Sequence, residues 1–144
     1  MATKACSPKL RAKKNCIILD TNALLVPFKF KIDIFEELRN LVGRTSELLI
    51  LSPNKYELER LATEGKPRIR RDASSAMKLI EKCKCIEVAC EVGRTADDVV
   101  VEVAGRMGCV VFTNDKMLRR RLRNISVPVI YVRQKSHLEI EGGL

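Results

Sequence analysis

Cys16-Ile17-Ile18-Leu19-Asp20-Thr21-Asn22 sets four apolar residues, with no polar alternation, directly against an acid, a hydroxyl and an amide. An unbroken apolar run of this length is the mark of a strand buried on both faces. Four more short runs share the pattern, at 48–51, 86–89, 109–112 and 129–132, the second of these being interrupted by Glu87. Between them the apolar spacing changes to a helical period. Ile34, Phe35, Leu38, Leu41 and Val42 form one stripe, ended by Gly43. Leu58, Leu61 and Ala62 form a second, opened by Ser52 as N-cap with Pro53 at the first helical position. A third helix is expected over 73–83. Ala96, Val100, Val103, Ala104 and Met107 stripe a fourth, with Thr95 as N-cap, and Leu118, Leu122 and Ile125 stripe a fifth that stops before Pro128.

Strands alternating with helices require crossover connections. They predict an α/β three-layer sandwich with a central, mainly parallel five-stranded sheet flanked by helices. The 144 residues amount to one domain. Its expected extent is 15–134, with a basic N-terminal tail at 1–14 and a C-terminal tail at 135–144. The segment 66–71 reads as a basic joint between two helices.

The formal charge of +9 points to a polyanionic partner. Nucleic acid is favoured over membrane, because no basic amphipathic stretch carries Trp or Phe on its apolar side. No apolar run approaches the roughly 18–20 residues that span a bilayer, and residues before Cys16 lack an apolar secretion signal. The expectation is a cytoplasmic protein with no membrane role. Disulfides are disfavoured there, so Cys16 and Cys109, both inside apolar runs, read as small buried hydrophobes. Cys83, Cys85 and Cys90 are spaced C-x-C-x4-C, which matches no common zinc pattern.

Placing the acids on this architecture gives the functional reading. Asp20 ends the first strand and Asp115 follows the fourth. Glu57 lies early in the helix after the second strand, and Asp97 lies in the first turn of the helix leading to the fourth. All four reach the carboxyl edge of the sheet, where open α/β sheets bind ligands. Each residue also has a simpler role: Asp20 and Asp115 could cap helices, Asp97 could complement a helix dipole, and Glu57 could be a solvated ion-pair partner. Four such coincidences on one rim are improbable together. Mutually close anions either rise in pKa or are neutralised by cations. Mg²⁺ or Mn²⁺ would suit this oxygen-only set and could activate water against a phosphodiester. A phosphorelay receiver would place acids similarly, but the third strand lacks its phosphate-accepting Asp.

The motifs Ile-Leu-Asp-Thr-Asn at 18–22, Glu-Leu-Glu-Arg-Leu at 57–61, Thr-Ala-Asp-Asp at 95–98 and Thr-Asn-Asp-Lys-Met-Leu at 113–118 resemble, in this order, those of the PIN-domain ribonucleases. The resemblance covers 15–134. It implies a PIN-like fold and a magnesium- or manganese-dependent endoribonuclease. Asp20, Glu57, Asp97 and Asp115 would be metal ligands, with Thr113 and Asn22 supporting the site. Asp98 adjoins Asp97 and is the alternative ligand, and Glu59 competes with Glu57. Two branches are similar: the VapC-like toxins of toxin–antitoxin systems, and the endonucleases that process ribosomal RNA in small-subunit biogenesis. Ala-Asp-Asp at 96–98, the arginines 119, 120, 121 and 123, and Val-Pro-Val-Ile-Tyr at 127–131 look closer to the second. The implied partners are RNA, an antitoxin protein for the first branch, and a second copy of the chain as a homodimer. A catalytically inactive RNA- or protein-binding module is the remaining alternative. Lys66, Arg68, Arg70 and Arg71 form a second basic cluster. With aromatics at 4% and no Trp, stacking platforms for bases are scarce.

Overall fold

The computed structural model describes residues 15–142, so the N-terminal tail expected at 1–14 lies outside the described residues. The chain runs through β1 (Cys16–Leu19), α1 (Thr21–Leu24), α2 (Val26–Phe30), α3 (Ile34–Val42), β2 (Glu47–Leu51), α4 (Ser52–Glu64) and α5 (Pro67–Leu79). A 3-10 turn (Ile80–Lys82) leads into β3 (Lys84–Ile86), then α6 (Ala96–Met107), β4 (Val110–Phe112), α7 (Lys116–Asn124), β5 (Val129–Arg133) and β6 (His137–Glu141). The strands form one sheet in the order β3-β2-β1-β4-β5-β6. Neighbours are parallel from β3 to β5, and β6 is antiparallel to β5.

The continuous apolar runs are explained by cover on both faces. Ile17, Leu19, Ile50, Val110, Phe112 and Ile130 point to one core, with Leu24, Ile34, Leu38, Leu58 and Ala76 of α1 and α3–α5. Ile18, Leu49, Leu51, Val111 and Val129 alternate to the other, beneath Val100, Val103, Leu118 and Leu122 of α6 and α7. The period of two within unbroken apolar sequence is what a three-layer arrangement demands. Among the described residues no helix is long and apolar enough to cross a membrane.

Among the described residues the sheet has six strands where five were expected. Residues 137–141, read from the sequence as tail, pair with β5 in the register Arg133↔His137 to Val129↔Glu141. Two further expectations shift locally. β3 falls at Lys84–Ile86, two residues before the apolar run at 86–89. It is an edge strand, so it gains more from backbone pairing with Leu49–Leu51 than from side-chain burial. The segment 66–71 is mostly helix rather than joint, because Pro67 opens α5 at the position where its missing N–H costs nothing.

Cys16 and Cys109 form a disulfide, against the expectation of two reduced, buried thiols. The register explains it. Ile17 lies opposite Val110 in the parallel β1–β4 ladder, so the residues just before them are neighbours, with Cα atoms 4.9 Å apart. Cys83, Cys85 and Cys90 form no disulfide among the described residues.

Candidate active site

Strand order reverses between β1 and β4. The chain builds outward from β1 through β2 to β3, then returns to pair β4 on the other side of β1. Crossovers therefore leave a crevice beyond the carboxyl ends of these two strands. Asp20 leaves β1 there and Thr113 leaves β4, the ladder continuing through a bond from the Asp20 N–H to the Phe112 carbonyl (3.0 Å). A cleft of about 230 Å³ at this point is lined by Asp20, Thr21, Asn22, Glu57, Asp97 and Asp115, with Leu25 and Leu61 as its apolar floor.

Asp20 is 4% exposed, and protein donors hold both its oxygens. Oδ1 accepts from Asn54 Nδ2 (3.0 Å), and Oδ2 accepts from the Thr113 hydroxyl (2.7 Å) and from Asn22 Nδ2 (2.9 Å). Burial pushes its pKa up to about 6. The Asp97 and Glu57 carboxylates add to the rise, while the Thr113 hydrogen bond opposes it. Asp97 is also raised, first by burial and then by the charges of Asp115 and Glu57. Four carboxylates thus act on one another through a partly dry space.

The other members are placed by their helices. Glu57 sits in the second turn of α4 and accepts the Thr21 hydroxyl at 2.8 Å. Asp115 caps α7, its Oδ1 accepting from the N–H groups of Met117 and Leu118 (2.8 and 3.1 Å). Capping and site membership therefore coexist in this residue. Asn22 accepts the Asn114 N–H at 2.9 Å, and Asn114 in turn accepts from Val132 N–H, tying the rim to β5.

The neighbours 97 and 98 divide the work. Asp98 closes a capping box with Thr95 and pairs with Arg121 at 2.8 Å, which holds its carboxyl below the usual range. Asp97 lines the cleft. Glu57 lines it as well, whereas Glu59 is exposed. Ser52 does not cap α4. Its hydroxyl bonds the Val88 backbone instead, fixing the loop after β3.

Asn54 and Thr21 escaped the sequence reading. Asn54 is fully buried, and its amide nitrogen donates to Asp20 and to Thr21 Oγ1 (3.1 Å). Its own Oδ1 has no partner among the described residues. The only available signal was an Asn three residues before Glu57, in a Ser-Pro-Asn string that reads as a helix start.

The donor set is oxygen-only and anionic, as a hard divalent cation requires. Among the described residues no three acidic, His or Cys side chains already stand close enough to form a metal cage.

Around the cleft the basic residues are only partly free. Arg119 lies over the Tyr131 ring (3.9 Å to the centroid) and pairs with Glu141, and Arg121 is committed to Asp98. Arg120 is exposed and, with Lys116, Arg119, Arg123 and Asn124, borders a groove of about 350 Å³. Lys66, Arg68, Arg70 and Arg71 are all exposed along the start of α5.

Residues 17–135 match a family described as a PIN like domain. Over 129 residues the chain is 34% identical to Ribonuclease VapC4 of Methanocaldococcus jannaschii, covering 88% of this chain and 96% of that one. It is 31% identical over 129 residues to Ribonuclease VapC9 of Archaeoglobus fulgidus, covering 90% and 91%. Among solved structures it is similar to the PIN domain endonuclease Utp24, with a TM-score of 0.71 and 28% identity over 90% of this chain and 92% of the other. The chain therefore belongs to the PIN-domain ribonuclease family.

Proposed function

We propose that this protein is a magnesium- or manganese-dependent endoribonuclease that hydrolyses RNA phosphodiester bonds in the cytoplasm, acting as the VapC-like toxin of a toxin–antitoxin system. The observation that carries the reading is the meeting of Asp20, Glu57, Asp97 and Asp115 in one cleft at the switch point of the sheet. A carboxylate held by three donors, yet raised in pKa by burial and further by its anionic neighbours, carries a cost that a cation would relieve.

Asp20, Glu57, Asp97 and Asp115 would hold the metal. When bound, it would lower the pKa of water and neutralise charge developing on the phosphate. The chain's own groups do the positioning. Thr113, Asn22 and Asn54 fix the Asp20 carboxylate, and Thr21 orients Glu57. The surrounding cations offset the repulsion between an acidic cleft and a polyanion, through phosphate contacts that carry little sequence preference.

Purified protein should cleave single-stranded RNA with Mg²⁺ or Mn²⁺ and stop in excess chelator. Undiminished cleavage in chelator would overturn the mechanism, and no cleavage under any metal would favour an inactive binding module. The VapC name of both relatives supports the toxin branch. Expression alone should then arrest growth, and an antitoxin protein should relieve the arrest. The second reading, ribosomal-RNA processing, is favoured by the motifs at 96–98 and 127–131 and predicts cleavage confined to a small-subunit precursor. A homodimer is part of the proposal and is read from the mass in solution.

A further inference from the structure

We infer that a second groove beside the carboxylate cleft is a nucleobase-stacking subsite. In it Tyr56 takes the base next to the scissile phosphate and Arg60 takes the following phosphate of a single-stranded RNA. The inference rests on the ribonuclease reading of the cleft and names how that cleft is fed.

The groove measures about 480 Å³ and is lined by Pro53, Tyr56, Glu57, Arg60, Thr95, Ala96 and Asp97. Glu57 and Asp97 also line the carboxylate cleft, so the two spaces share a wall. A strand with a phosphate at the carboxylates has its neighbouring nucleotide within reach of this groove. Tyr56 is 56% exposed, while the other described aromatic rings are buried or half-buried. An exposed ring at the wall shared with the carboxylate cleft has a face open to a ligand.

Tyr56 and Arg60 are four residues apart on the 13-residue α4, and so share one face of that helix. Arg94, Arg106, Arg119, Arg121 and Arg133 are engaged in ion pairs, and Arg60 is in none among the described residues. Across the groove, the Thr95 hydroxyl oxygen accepts the Asp98 N–H in the capping box. What faces a ligand is therefore a ring and a cation, with the shared carboxylates of Glu57 and Asp97 along one wall. Such a site stacks any base and selects single strands over duplexes, whose bases present no free face. The chemistry excludes a purely acidic peptide, since Glu57 and Asp97 border the same space.

Binding of a short single-stranded oligoribonucleotide containing 2-aminopurine, measured in chelator so that nothing is cut, tests the subsite apart from catalysis. Stacking on Tyr56 should quench the probe. Tyr56→Ala should abolish the quench and weaken binding roughly 5- to 150-fold, while Tyr56→Phe should keep both. Arg60→Ala should weaken binding and flatten its salt dependence without removing the quench. An oligonucleotide with an abasic position at the probe should bind wild type and Tyr56→Ala equally. Unchanged quench and affinity in Tyr56→Ala, or no binding by the wild type, would overturn the subsite and leave the groove to a protein partner. Cleavage by the wild type in Mg²⁺ is scored separately. If that arm succeeds and the quench arm fails, the subsite is wrong and the ribonuclease reading stands.

Discussion

Thr21 donates its hydroxyl to Glu57 Oε1 at 2.8 Å and accepts the Asn54 amide at 3.1 Å. Asn54 directs its other N–H to Asp20 Oδ1. One buried amide thereby sets the relative position of two carboxylates that lie 37 residues apart on different elements. The hydrogen-bond network behind this cleft is thus a single piece, running from α4 through α1 to the end of β1.

Asn54→Ala tests that coupling. The variant frees Asp20 Oδ1 and releases Thr21, so both acids gain freedom. A displacement of about 1 Å in a catalytic constellation costs on the order of 100-fold in rate. The loss of stability should be about 2 kcal/mol, since a hydrogen bond to a charged group goes but an unpartnered buried oxygen goes with it. Cleavage rates at saturating Mg²⁺, set beside urea unfolding, separate the two. A rate equal to wild type would show that Asp20 and Glu57 do not depend on the amide.

Asp97→Asn and Asp98→Asn should differ sharply. Asp97 lines the cleft, so its variant should lose metal-dependent cleavage by orders of magnitude while staying folded. Asp98 serves the cap of α6 and Arg121, so its variant should lose some thermal stability and retain most activity. Reversed effects in a cleavage assay would place Asp98 at the metal.

The arginines of α7 should also separate. Arg120 is exposed, and Arg120→Ala should weaken RNA binding evenly across sequences, flattening the salt slope by roughly 0.7 for each phosphate that is no longer neutralised. Arg121→Ala should act mainly by releasing Asp98, seen as a lower melting temperature. Salt titrations of a labelled RNA check the first, and an unchanged slope for Arg120→Ala would reduce that side chain to a solvated one.

Those residues also show what the sequence made legible. Asp20 and Asp115 could be placed because β1 and β4 are apolar on both faces and end abruptly in polar residues. β6 was hidden for the opposite reason. His-Leu-Glu-Ile-Glu alternates, is half exposed, and follows a turn whose left-handed residues are Gln134 and Lys135, where Asn or Gly would have signalled a hairpin. Asn54 was hidden because its role depends on two partners more than 30 residues away, and local pattern carries no such information. The disulfide depends on the β1–β4 register in the same way.

Reduction of the Cys16–Cys109 disulfide should lower stability and spare activity. It closes a sequence separation of 93 residues, which in the chain-entropy account contributes about 4–5 kcal/mol through the unfolded state. Cys16 lies four residues before Asp20, about 13 Å along an extended strand, so the cleft is out of its direct reach. The urea midpoint should fall in reductant, and equally in Cys16→Ser, while initial cleavage rates at low temperature stay the same. A midpoint insensitive to reductant would show that the bridge contributes little.

Asp20 should give the metal-free protein an inverted acid response. Its folded pKa of about 6 lies above its ordinary 3.8. Below about pH 3.8 the group is protonated in both states and has no effect on stability. As pH rises from there to about 6, the unfolded chain releases its proton first, the folded protein holds more protons, and stability falls. Above 6 the full cost is present, about 3 kcal/mol at 1.36 kcal/mol per pH unit. Asp97, raised in the same direction, adds to the trend. Melting temperatures in chelator should therefore fall between pH 4 and 7 more steeply for wild type than for Asp20→Asn, which lacks the titrating group. The amide cannot accept all three of the bonds that Asp20 accepts, so its gain at pH 7 should be smaller, about 1 kcal/mol. Mg²⁺ competes with the proton for the same oxygens, so it should raise the wild-type melting temperature more at pH 7 than at pH 5 and leave Asp20→Asn nearly unmoved. Parallel pH profiles for the two proteins, with equal responses to Mg²⁺, would show that Asp20 neither carries that cost nor holds the metal.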